Sequence, residues 1–189
     1  MLVLIVAMAA GLAAGYALGG RLRNLERLQL RLPWLVVLAM AVQIVIFSRL
    51  GSPLGETASL WGHVVSYALL LAFAVLNRRN LGVLLAGIGA LLNAIVIVAN
   101  GGYMPASKRA LDLAGLIATS QTHNNSIVAD ESARLLPLGD VMAVPGGIPF
   151  FSNVFSMGDV LIAVGVTVLL ATAMRAPAPV AGVQAAATR

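Results

Sequence analysis

Five long apolar runs constrain this chain more than any other feature of its sequence. They occupy about residues 1–20, 32–47, 60–76, 81–99 and 157–174. A helix rises about 1.5 Å per residue, so about 20 apolar residues cross the roughly 30 Å hydrocarbon layer of a bilayer. Backbone in hydrocarbon must satisfy its own polar groups, which makes such runs helical. The expected fold class is therefore all-α: an integral membrane bundle of five transmembrane helices within a single domain, residues 1–176. A long extracytoplasmic loop, residues 100–156, is expected to contain a short amphipathic helix, and residues 177–189 are expected to form a disordered tail. Composition supports this, because 60% of the 189 residues are apolar and 10% are charged. Soluble domains carry about 25% charged residues. The absence of cysteine excludes a disulfide scaffold and a thiol active site.

The distribution of Lys and Arg sets the expected orientation, since short loops rich in these residues stay in the cytoplasm. An N-out threading places Arg21, Arg23, Arg27, Arg31, Arg78, Arg79, Arg175 and Arg189 inside. Only Arg49, Lys108, Arg109 and Arg134 then lie outside. The first run has no basic residue before it, unlike a secretory signal, and reads as an anchor. The expected location is a plasma membrane, crossed several times, with the N-terminus outside and the C-terminus in the cytoplasm. A net charge of +5 invites nucleic acid as a partner, but the cations form no basic face interleaved with aromatic residues. The partner implied is the lipid bilayer.

Gly11, Gly15 and Gly19 recur every four residues in the first run, with Ala7 one step before them. Small residues at this spacing allow close helix approach, so these glycines are read as a packing seam. Its partner is another span, other membrane subunits or a second copy of the chain. The few polar residues inside the spans, Gln43, Ser66, Tyr67, Asn93 and Thr167, should face other helices. Gln43 and Asn93 are either interhelical hydrogen bonders or the floor of a ligand cavity.

The outer loop carries the individuality of the chain. Asn100-Gly101-Gly102 closes the fourth helix, Tyr103 suits an interface, and Pro105 stops the chain from continuing as helix. Ser107 is placed to cap a helix reaching about Ala118, with Leu111, Ala114 and Ala118 on one side, lying flat on the outer surface. Prolines 137, 145 and 149 and glycines 139, 146 and 147 exclude a long helix in the second half. Ser156 and Asp159 have the spacing of a capping box at the start of the fifth span. Asn100, Tyr103, Asp140, Asn153 and Asp159 are the candidate ligand-binding residues, between the outer loop and the span ends.

Three segments, 100–105 (Asn-Gly-Gly-Tyr-Met-Pro), 138–141 (Leu-Gly-Asp-Val) and 153–162 (Asn-Val-Phe-Ser-Met-Gly-Asp-Val-Leu-Ile), resemble the pattern of the DUF5317 family of bacterial membrane proteins. The resemblance covers most of the chain and implies a small polytopic membrane protein; it brings no activity with it.

Chemical motifs are sparse. No nucleophile elbow, phosphate loop, dinucleotide fingerprint or zinc-protease motif occurs, so no catalytic residues and no cofactor are assigned. His63 and His123 have no ligand spacing around them, so no metal is assigned. A two-carboxylate site using Asp140 and Asp159 remains the one enzymatic arrangement open. Three functions compete: a non-catalytic protein docking within a membrane complex, a small-molecule or lipid-binding protein or transporter, and a membrane enzyme using outer-face carboxylates. The first explains most with least.

Overall fold

The computed structural model describes residues 2–47, 55–116, 126–130, 132–145 and 153–175. The expected tail, His123 and the far end of the expected amphipathic helix lie outside the described residues. The chain is mostly helical, with α1 (Leu2–Ala17), α2 (Trp34–Phe47), α3 (Gly55–Leu76), α4 (Leu81–Ala99), α5 (Lys108–Leu113) and α6 (Met157–Arg175). Three of these are long and apolar enough to cross a membrane: Thr57–Leu76 within α3, then α4 and α6. Shorter apolar helices occupy Leu2–Ala17 and Trp34–Ile46.

Local chemistry sets most helix ends. A left-handed Leu32 with φ of 50° and Pro33 delay α2 to Trp34. The Asn80 side chain accepts from the Val83 amide and caps α4. At the other end of α4, Gly101 and Gly102 take φ of 69° and 106°. The Gly102 amide donates to Ile97 O at 2.8 Å and the Gly101 amide to Val98 O at 3.3 Å, satisfying carbonyls the helix leaves open.

Contacts run from α1 to α6, from α6 to α4, from α4 to α3 and from α3 to α2. The last helix in sequence is thus inserted beside the first. Helices α4 and α6 approach closely at their glycines. A methyl group at Gly165 would strike the Ala86 amide nitrogen and the Gly82 carbonyl, and one at Gly89 would strike the Gly158 carbonyl. Both helices carry their glycines seven apart, at 82 and 89 and at 158 and 165, so the backbones meet directly.

The expected helical fold holds, and the segment between α4 and α6 adds four short strands that the sequence reading did not include. Strand β1 (Met104–Ala106) pairs in parallel with β2 (Ser126–Val128), and β3 (Met142–Val144) pairs antiparallel with β4 (Asn153–Phe155). Proline and glycine prevent helix there, while burial of β1 obliges its backbone to find partners. The amphipathic helix is also shorter than expected. Ser107 Oγ accepts from the Ala110 amide as its cap, but Gly115 at φ 68° turns the chain away. Leu111 and Ala114 are buried, and α5 packs on β3 and β4 rather than lying alone on the surface.

Candidate functional site

A polar cluster joins α3, α4, α6 and the segment between α4 and α6. Ser156 and Asp159 cap α6 reciprocally: the Asp159 amide donates to Ser156 Oγ at 3.0 Å, and the Ser156 amide donates to Asp159 Oδ2 at 3.1 Å. The buried Asn93 of α4 then joins both side chains. Its Nδ2 donates to Asp159 Oδ1 at 2.8 Å, and its Oδ1 accepts from Ser156 Oγ at 2.8 Å. One amide thereby engages both capping side chains, which suits a site where unpaired polar atoms are costly. Tyr67 of α3 reaches the Asn93 side chain and lies within electrostatic range of Asp159 and Asp140. The His63 ring stacks on Tyr67 with centroids 6.4 Å apart, and His63 itself is buried.

The other candidate residues spread around this cluster. Asn100 clasps the loop beyond α5: its Nδ2 donates to Arg134 O at 2.9 Å and to Val96 O at 2.8 Å, and its Oδ1 accepts from the Arg134 amide at 2.8 Å. Asp140 is buried, with its amide donating to Pro105 O and its carbonyl accepting from the Ser107 amide. Tyr103 is half-buried and, like Asp140, engaged with neighbouring groups. Asn153 sits on β4 opposite Val144. Tyr67 thus lies in the neighbourhood of Asp159 and Asp140, while the Asn100 side chain ties the end of α4 to the backbone of Arg134.

Gln43 Nε2 donates to Ser66 Oγ at 3.3 Å between α2 and α3, and Thr167 Oγ1 donates to Ala7 O at 3.1 Å between α6 and α1. Gly11 and Gly15 face Leu170, Thr167 and Met174 of α6. Gly19 lies past the end of α1, exposed, with φ of 78° and nothing near the position of a Cβ. Gly20 takes its place against Met174. Outside the helices, the Ser132 amide and hydroxyl donate to Asp130 Oδ1 at 2.8 and 2.6 Å, which holds that carboxyl below the usual range. Among the described residues no three His, Asp or Glu side chains gather where they would hold a metal ion.

The opposite end of the helices carries geometry that sequence reading missed. The 3-10 turn Leu22–Arg27 caps α6, with the Arg21 amide and Asn24 Nδ2 both donating to Met174 O, at 2.9 and 2.7 Å. Asn77, at the end of α3, clamps the segment before α2: its Oδ1 accepts from the Arg31 amide at 2.7 Å and its Nδ2 donates to Arg31 O at 3.0 Å. Beside this clamp lies a groove of about 840 Å³ lined by residues 29–31 and 75–80. Four adjacent polar residues at 77–80 signalled only a turn; nothing local tied them to Arg31.

Compared with known proteins, residues 27–171 match the model of a family of unknown function, DUF5317. No curated protein and no solved structure matches the chain.

Proposed function

The chain belongs to the DUF5317 family, and from that premise we propose that it is a non-catalytic integral membrane protein that docks within a larger membrane complex. In this reading all five apolar helices cross the bilayer, with the N-terminus outside and the C-terminus in the cytoplasm of a bacterial cell. The arginine-rich end, Arg21 to Arg31 with Arg78, Arg79 and Arg175, then faces inward.

One observation carries the docking role: among the described residues the main helix contacts follow a row, α1–α6–α4–α3–α2, with α1 and α2 at its two edges. Helix α1 has 16 residues, about 24 Å of rise, which is less than the hydrocarbon thickness. A short span at the edge of a row is relieved when it packs against further helices. The exposed faces of Ile5 and Val6 on α1 and of Val37 and Ile44 on α2 are apolar along both edges.

A ligand site between the outer segment and the span ends has less support. Asn93, Asn100, Ser156 and Asp159 direct their polar atoms to partners in the chain itself. The same bonds weigh against an acid–base pair at Asp140 and Asp159, because Asp159 is committed to the helix cap.

Purification from native membranes in a mild detergent, followed by mass measurement, tests the proposal. The expected result is a defined assembly well above the 19.5 kDa chain, containing stoichiometric further subunits. A lone chain retaining a small molecule that is lost in Asp140→Asn would replace the docking reading by the ligand-site reading.

A further inference from the structure

We propose that the groove between the Gln29–Arg31 segment and the α3–α4 turn binds a phosphate group, presented by an anionic lipid headgroup or by a soluble phosphate compound. Its lining is Gln29, Leu30, Arg31, Val75, Leu76, Asn77, Arg78, Arg79 and Asn80, so three arginines border it and no acidic residue does. Guanidinium forks match phosphate oxygens bidentately and carry charge at any physiological pH. The two walls are held together rather than merely adjacent. The buried Asn77 bonds both the amide and the carbonyl of Arg31, and the strained Leu32, with φ of 50°, follows directly. The clamp keeps the Arg31 backbone beside the turn that carries Arg78 and Arg79.

Two further features fit the same ligand. The groove ends at Asn80, the cap of the 19-residue α4, where the helix dipole adds positive potential. Three of its lining residues, Leu30, Val75 and Leu76, are apolar, and Val75 and Leu76 are exposed on the flank of α3. A charged end joined to an apolar flank suits an amphiphile whose phosphate sits among the arginines and whose acyl chain follows the helix. The site is separate from the outer cluster and does not depend on the docking role.

Native mass spectrometry of the full chain, released from micelles holding equal phosphatidylglycerol and phosphatidylcholine, tests this. The intact protein is expected to retain phosphatidylglycerol preferentially. Replacing Arg31, Arg78 and Arg79 together by Gln should weaken retention by about fivefold per arginine, roughly a hundredfold in all. Arg109→Gln, in α5 beyond the other end of α4, should change nothing. If the triple Gln variant is lost from the folded fraction on size exclusion, Arg78→Gln alone and the triple Lys variant are read instead. The first is then expected to lose about fivefold and the second to fall between Gln and Arg. Displacement by glycerol 3-phosphate without preference between the two lipids would assign a soluble phosphate as the ligand. Equal phosphatidylglycerol retention by the intact protein and the folded Gln variants overturns the proposal.

Discussion

At the scale of single residues, Asn93 has the most to do. Its amide ties α4 to the first turn of α6 by bonding both members of the helix cap. Removing the amide leaves the Asp159 and Ser156 oxygens short of a partner in a buried place. Asn93→Ala should therefore lower stability by about 1–3 kcal/mol, read as a fall in melting temperature in detergent. Asn93→Asp should be worse, because a second carboxylate would face Asp159 Oδ1 in place of the donor. Equal melting of the two variants, or Asp outperforming Ala, would remove Asn93 from this role. Polar residues within the helices follow the same logic: Gln43 and Thr167 each bond to a neighbouring helix.

At the scale of elements, the contacts around α6 differ in how much they can yield. At Gly15 a new methyl group would meet the Met174 thioether, a flexible side chain that can swing aside. At Gly165 it would meet backbone atoms of Ala86 and Gly82, and only separation of α4 and α6 relieves that. Gly165→Ala should thus destabilise by about 1–3 kcal/mol. Gly15→Ala should cost distinctly less. Thermal melting of the two variants in the same detergent compares them directly, and the reverse order would mean that α1 and not α4 is the tighter partner of α6. Spacing by four in α1 drew attention to Gly11, Gly15 and Gly19, yet helix α1 ends before Gly19. The repeat of seven in α4 and α6 is legible only once the two helices are known to be neighbours.

At the scale of the whole molecule, the arrangement has two chemically unlike ends. One carries the segment between α4 and α6 with its short strands and the buried Asp140; the other carries the arginines and the groove. The absence of native cysteine makes single-cysteine variants clean reporters of which end faces which compartment. With five crossings and the N-terminus outside, a cysteine introduced by Asp112→Cys should react with an impermeant maleimide on intact cells. One introduced by Arg23→Cys should react only after permeabilisation. The opposite pattern would invert the topology, and labelling of both on intact cells would contradict an odd number of crossings between them.

The long apolar helices, the helix starts at Ser107 and Ser156 and the helix stop at Asn100-Gly101-Gly102 were all present in the amino-acid sequence. Each depends on neighbours a few residues away: a run of apolar side chains, a hydroxyl within reach of an amide, a glycine free to take positive φ. Tertiary structure alone decided that α6 lies between α1 and α4, that Asn77 grips Arg31, and that strands form where apolar backbone between prolines needed partners. These features join residues from 9 to 160 positions apart. Which distant surfaces meet depends on the shape and hydrogen-bonding capacity of both, and no local pattern encodes the pair.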